Sequence, residues 1–178
     1  VASDGLYNPS CEEWNGGIWS YIGGKHPGLF HCPSDEAIVL MPELHKAWAT
    51  VPVESGIVDV KVHMLMPGQY PCIPNWHCDF VPRDDDKTLR PDLIDPSLEM
   101  FMWVDGPPIT EFRDGRKVKP KEWVKFTQLD EHRGVASTEH CWRTFIRVVP
   151  ESLLKPAPPE QWLRRHTQVY LDAENFTW

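Results

Sequence analysis

The residues best placed to do chemistry lie in Asn75-Trp76-His77-Cys78-Asp79. On an extended segment an imidazole and a carboxylate two positions apart project to the same side, so His77 and Asp79 can grip one metal ion. A second imidazole stands about fifty residues on: His132 follows the strand-like run from Trp123 to Asp130. Two histidines and one carboxylate form a facial set that suits Fe(II) and leaves coordination positions open for other ligands. His140 is the rival third ligand, although it falls in a turn next to Cys141.

Beyond His132 comes Arg143-Thr144-Phe145-Ile146-Arg147. With period two, Arg143, Phe145 and Arg147 share a face. Two guanidiniums flanking a phenylalanine do not make plain core, because burying an unpartnered cation is costly. An anionic ligand would solve that problem, with Arg143 favoured as its partner and Arg147 as the alternative, or as the partner of an acid.

Three weaker candidates have plain readings. His63 shares a strand face with Asp59 and Lys61 and reads as a surface or lightly buried histidine. His26 and His31 flank Pro27-Gly28 in a loop. Asp84-Asp85-Asp86 reads as a solvated run rather than a cation site.

His77-x-Asp79, a distant His132 and an arginine on the next strand together resemble the Fe(II)/2-oxoglutarate-dependent dioxygenase superfamily over roughly residues 57–149. The resemblance implies that His77, Asp79 and His132 hold Fe(II) and that Arg143, or else Arg147, takes the far carboxylate of 2-oxoglutarate. It also implies that O2 is consumed to hydroxylate a substrate, releasing succinate and CO2. Phe145 stands where many relatives carry a small hydroxyl residue two positions after the arginine, which keeps Arg147 in contention. Two alternatives remain open: a cupin-type metal-binding enzyme without the keto acid, and a non-catalytic β-sandwich that binds a partner.

These residues need a scaffold, and the composition suggests one. The chain has 178 residues, 41% hydrophobic and 25% charged, enough for one domain with a proper core. Eighteen prolines cut it into short pieces, which favours a mainly β fold with many turns. We expect a double-stranded β-helix (jelly roll) with a few peripheral helices, in a single domain over residues 1–178. Residues 1–35 are expected to form a loop-rich arm, 36–149 the core, and 150–178 a proline-rich linker and a helix over 160–172.

Within the arm a short strand is expected over 18–22. Further strands are expected over 36–41, 57–66, 75–79, 97–104, 109–113, 123–130 and 142–149, with a short helix over 42–48. The polar, proline-punctuated stretch 82–96 reads as a lid or a disordered connection. In the strand 57–66, Val58, Val60, Val62, Met64 and Met66 alternate with Asp59, Lys61 and His63.

The formal net charge of −8 and the lack of any long basic run disfavour duplex nucleic acid and anionic membranes. A small molecule, a peptide or a single nucleobase remains open as substrate. Five cysteines, an odd number without a CxxC pair, suggest free thiols in a reducing compartment. No apolar run is long enough to span a membrane and no basic-then-apolar leader opens the sequence, so a cytoplasmic location is the expectation.

Overall fold

The computed structural model describes residues 28–41 and 44–164. The expected strand over 18–22, His26 and the distal part of the expected C-terminal helix lie outside them. The described chain is mainly β, with antiparallel sheets and few helices.

Eight strands follow in chain order: β1 (Gly28–Pro33), β2 (Ile57–Leu65), β3 (Met100–Asp105), β4 (Thr110–Phe112), β5 (Val124–Phe126), β6 (His132–Gly134), β7 (Cys141–Val149) and β8 (Leu163–Arg164). Six of them make a sheet in the order β5-β3-β7-β2-β1-β8, and β4 pairs with β6 in a second, smaller sheet. A bridge between His77 and His132 adds one more rung beside β6. From β2 to β7 the chain therefore visits the two sheets alternately, returning to the large one after each visit to the small one.

Register decides what each face of the large sheet does. Val58 lies opposite Val148, and Val60 opposite Ile146. These residues and Trp103 of β3 face outward under a layer made by α1 (Ser34–Leu40), α2 (His45–Trp48) and Trp162. The other face looks toward the small sheet. At one end it is apolar, where Ile57, Met100, Met102 and Val149 meet Phe112 and Phe126. Further along, the same face turns polar through Asp59, Lys61 and His63 on β2 and Arg147 and Arg143 on β7.

Several expectations need correction. The apolar run 36–41 is helix α1 rather than a buried strand: Ala37, Leu40 and Met41 are spaced to bury one stripe, while Val39 points outward at 72% exposure. Acidic Asp35 and Glu36 occupy its first turn, where the helix dipole favours them. Residues 28–33, expected within a loop-rich arm, form a strand paired with β2. The expected helix over 160–172 starts as a 3-10 turn at Pro159–Gln161 and passes directly into β8. Trp162 fixes this change of course, because its buried indole donates to the Ala157 carbonyl and its own carbonyl accepts from the His31 amide.

The stretch 82–96 folds on itself. Arg90 pairs with Asp84 and Asp92, and Arg83 bridges to Leu89. The carboxylates Asp84, Asp85 and Asp86 are exposed. The four described cysteines are free thiols. No helix among the described residues is long and apolar enough to cross a membrane.

Candidate metal centre

His77 does not lie on a strand of its own, contrary to the expectation over 75–79. It meets β6 in a single antiparallel bridge, its N–H donating to the His132 carbonyl at 3.0 Å and the His132 N–H donating back at 2.9 Å. A directly opposed pair in an antiparallel ladder projects to the same face. The two imidazoles therefore stand side by side, with ring centroids 4.5 Å apart. His132 opens β6 rather than ending the preceding strand.

Each ring is oriented from behind. His77 Nδ1 lies 2.8 Å from the Asn75 carbonyl and His132 Nδ1 lies 3.0 Å from the Asp130 carbonyl. A carbonyl only accepts, so both Nδ1 atoms carry the proton, the tautomer in which Nε2 is the ring's metal-ligating atom.

Asp79 reaches the same point from a turn closed by Phe80, whose φ of +58° is unusual for a residue with a side chain. Gln128 holds that turn, its side-chain amide donating to the Phe80 carbonyl at 2.7 Å. Asp79 Oδ1 lies 3.8 Å from His77 Nε2 and 3.5 Å from His132 Nε2. The three donor atoms all lie within 4.8 Å of one another. With bonds of about 2.1 Å, a shared metal would set its ligand atoms roughly 3 to 3.5 Å apart, so binding would draw the three donors together.

The other Asp79 oxygen, Oδ2, accepts from Arg147 Nη1 at 2.7 Å. Arg147 also donates twice to Asp59 Oδ2, and Asp59 Oδ1 sits 2.5 Å from His31 Nδ1. A continuous chain thus runs from the candidate ligand Asp79 through Arg147 and Asp59 to His31. Burial would raise the Asp79 carboxyl, but the Arg147 charge and His132 hold it well below the usual carboxylate range. The imidazoles are pushed apart: burial lowers His77, whereas at His132 the effect of burial is outweighed by hydrogen bonding and attraction to Asp79, which raise it.

Arg143 is in a different position. It is 2% exposed, and its guanidinium donates to the Pro107 carbonyl and to Thr110 Oγ1 at 2.9 Å. Among the described residues no carboxylate lies within ion-pair distance of it. Burial drives its pKa down to about 10. Arg143, Arg147, the three candidate ligands and Lys61 line one cavity of about 450 Å³, within the size range of small-molecule sites.

Sequence reasoning read three histidines differently. His140 is exposed and outside the cluster. His63 is 1% exposed, against the surface reading, because the polar face of β2 is turned toward the small sheet. His31, assigned to a loop, belongs to β1 and lines the cavity with Asp59. Trp76 packs beneath the guanidiniums of Arg113 and Arg133, outside the cavity lining. Asp59, Lys61 and Thr110 were not singled out. The available signal was that β2 and β7 both alternate apolar with charged residues, and that the two charged faces coincide once the strands pair.

No family model matches this chain. No curated protein matches it at a significant level. A search of solved structures finds similarity to the crystal structure of a cupin protein from Bacteroides fragilis, with a TM-score of 0.34 and 11% identity over 60% of this chain and 75% of that one.

Proposed function

We propose that the chain is an Fe(II)- and 2-oxoglutarate-dependent oxygenase built on a double-stranded β-helix. The alternation of the chain between the two sheets from β2 to β7 supports the scaffold. The observation that carries the function is Arg143, a buried guanidinium with no acid in ion-pair reach among the described residues, opening on the cavity that holds the His77, Asp79 and His132 donors. A guanidinium so placed is costly until an anion reaches it, and its planar fork suits a carboxylate.

In this reading His77 Nε2, Asp79 Oδ1 and His132 Nε2 hold the metal. Arg143 and the Thr110 hydroxyl receive the distal carboxylate of the keto acid. Arg147 is committed to Asp59 and Asp79, so it braces the ligand carboxylate rather than the cosubstrate. With Fe(II) bound, the metal and the keto acid together supply the oxidising power that hydroxylates a substrate C–H bond using O2, with release of succinate and CO2. Phe80 and Phe145 contribute apolar wall to the cavity. The substrate is a small molecule, a peptide or a nucleobase presented to this cavity, and the reading retains a cytoplasmic location.

The test is anaerobic loading with Fe(II) and 2-oxoglutarate, followed by O2, with succinate as the product measured. Slow uncoupled succinate release is expected from the native chain and none from Arg143→Met or His132→Ala. A chain that binds metal yet neither binds nor consumes the keto acid would favour the cupin-type reading instead.

A further inference from the structure

We infer that His31 is a specificity-determining residue: held by Asp59, its Nε2 accepts a hydrogen bond from an uncharged substrate that carries an O–H or N–H group, in an arm of the cavity that the keto acid leaves free. This rests on the function proposed above and adds to it the chemical class of the substrate and the residue that recognises it.

Register places three polar side chains in one row across the large sheet. His31 of β1 lies opposite Asp59 of β2, which lies opposite Arg147 of β7. Directly opposed residues project to the same face, and all three line the cavity. The row ends at the candidate ligand Asp79, which Arg147 engages. With strands about 4.8 Å apart, His31 stands roughly 10 Å across the sheet from Arg147 at the backbone, while Arg143 stands roughly 13 Å along β7 from it. A keto acid that runs from the metal donors toward Arg143 therefore leaves the arm toward β1 open. The cavity of about 450 Å³ has room for both, since sites of this size hold drug-sized ligands.

The His31 ring is fixed on one side and open on the other. Its backbone N–H donates to the Trp162 carbonyl at 2.7 Å, which pins β1 at this position, and Nδ1 lies 2.5 Å from Asp59 Oδ1. Burial would raise the Asp59 carboxyl, but the Arg147 charge and the hydrogen bonds from His31 and Arg147 hold it below the usual carboxylate range. An ionised carboxylate only accepts, so Nδ1 carries the proton and Nε2 is the acceptor of the neutral ring.

Nε2 has no hydrogen-bond partner among the described residues. Nor is it one of their enclosed, unpartnered side-chain atoms, which belong to His63, Trp103 and Gln128. It is therefore open to solvent although the side chain is only 10% exposed, and the space that the ring lines is the cavity. Asp59 and Arg147 compensate each other in this row, with Phe80 against the Arg147 guanidinium and Met102 opposite Arg147 on β3. The complement is an uncharged molecule with an apolar body and one donor. An analogue without the donor displaces water from Nε2 and leaves the acceptor unmade, which is how an enclosed acceptor discriminates.

The experiment follows the proton relaxation of small probes by Mn(II), bound in place of Fe(II), with 2-oxoglutarate present. Two matched pairs serve as probes: benzyl alcohol against benzyl methyl ether for O–H, and benzamide against N,N-dimethylbenzamide for N–H. In the native protein the donor member of at least one pair is expected to bind roughly 10-fold tighter than its partner, the worth of one hydrogen bond in a buried site. His31→Asn keeps a donor for Asp59 but has nothing at the Nε2 position, so it should erase that preference while Mn(II) still binds. His31→Gln, whose amide oxygen reaches the Nε2 position, should restore part of it.

Equal relaxation of both members of each pair by the native protein, absence of binding included, would overturn the inference. So would a preference that survives in His31→Asn, which would make His31 a strut for Asp59. A native protein in which Mn(II) relaxes the donor probes but not the protons of 2-oxoglutarate would uphold the role of His31 and remove the keto-acid reading, a result distinct from either of these.

Discussion

The two arginines of β7 are four residues apart on one face, yet their surroundings give them opposite roles. Arg147 sits between Asp59 and Asp79, so the guanidinium offsets the burial of both carboxylates and they offset its own. Among the described residues Arg143 has a carbonyl, a hydroxyl and the Phe145 ring 5.5 Å away, but no carboxylate. Removing one member of a buried ionic group leaves its partners uncompensated, a loss of about 3 to 5 kcal/mol. Arg147→Met should therefore lower stability to urea by about that amount and weaken metal binding as well. Arg143→Met should leave stability unchanged or raise it by about 1 kcal/mol, since it removes a buried cation without an acid, while keto-acid binding is lost. If both variants unfold at the same denaturant concentration, the assignment of separate roles is wrong. Asp59→Asn tests the next link: with its hold on Arg147 loosened, metal affinity should fall by roughly 10-fold, as for groups that orient a ligand from behind.

At the scale of elements, β2 shows why part of the site was hidden. Its strict alternation was legible as a strand, and Val58, Val60 and Val62 were legible as its buried face. The polar face was read as solvated because alternation alone does not say what lies opposite. Only pairing with β7, and the small sheet beyond, makes Asp59, Lys61 and His63 interior. Helix α1 was misread for a related reason: five apolar residues in a row, Ala37 to Met41, fit a strand as well as a helix until packing selects a period. The proximity of His77 and Asp79 was legible, whereas its cause, a cross-strand bridge and a tight turn instead of one strand, depends on contacts some fifty residues away.

His63 carries a prediction of its own. Neither ring nitrogen has a hydrogen-bond partner among the described residues, and burial with the Lys61 and Arg143 charges pushes its pKa down to about 2. The unfolded chain then binds one more proton than the folded one as pH falls below 6.5, the ordinary value. The sign is that stability is lost on acidification, by roughly 2 to 3 kcal/mol between about pH 6.5 and about pH 4.5. His63→Leu should flatten that part of the urea-unfolding profile and raise stability at neutral pH by about 1 to 2 kcal/mol. A variant as acid-sensitive as the native chain would show that the proton goes elsewhere.

Gly134 tests the seam between β6 and the segment before the metal ligands. A Cβ there would stand 2.6 Å from the Cys72 carbonyl oxygen, while the Gly134 N–H already donates to Ile73 at 2.8 Å. Gly134→Ala must push that backbone away, at about 1 to 3 kcal/mol, and metal affinity should drop with it. Retention of full metal affinity would show that the segment before His77 moves independently of the ligands.

At the scale of the whole molecule, the candidate ligands belong to the small-sheet side and Arg143 and Lys61 to the large sheet, with the cavity between them. A metal ties β6 to the turn at Asp79, and a keto acid that chelates it while reaching Arg143 would tie that cluster to β7. The two ligands should therefore stabilise the fold in order, since the keto acid lacks half of its contacts until the metal is present. At 100 times its dissociation constant a ligand adds about 2.7 kcal/mol. For a chain of this length that corresponds to a rise in melting temperature of roughly 5 to 11 °C. Thermal unfolding should show that rise for 2-oxoglutarate with Mn(II), and little or none for 2-oxoglutarate with a chelator. Asp79→Asn should remove the metal effect and the keto-acid effect together, whereas Arg143→Met should remove only the second. An equal shift from 2-oxoglutarate in the presence of chelator would mean that the cations of the large sheet bind dicarboxylates without any metal, and the two sides of the cavity would then not form one catalytic site.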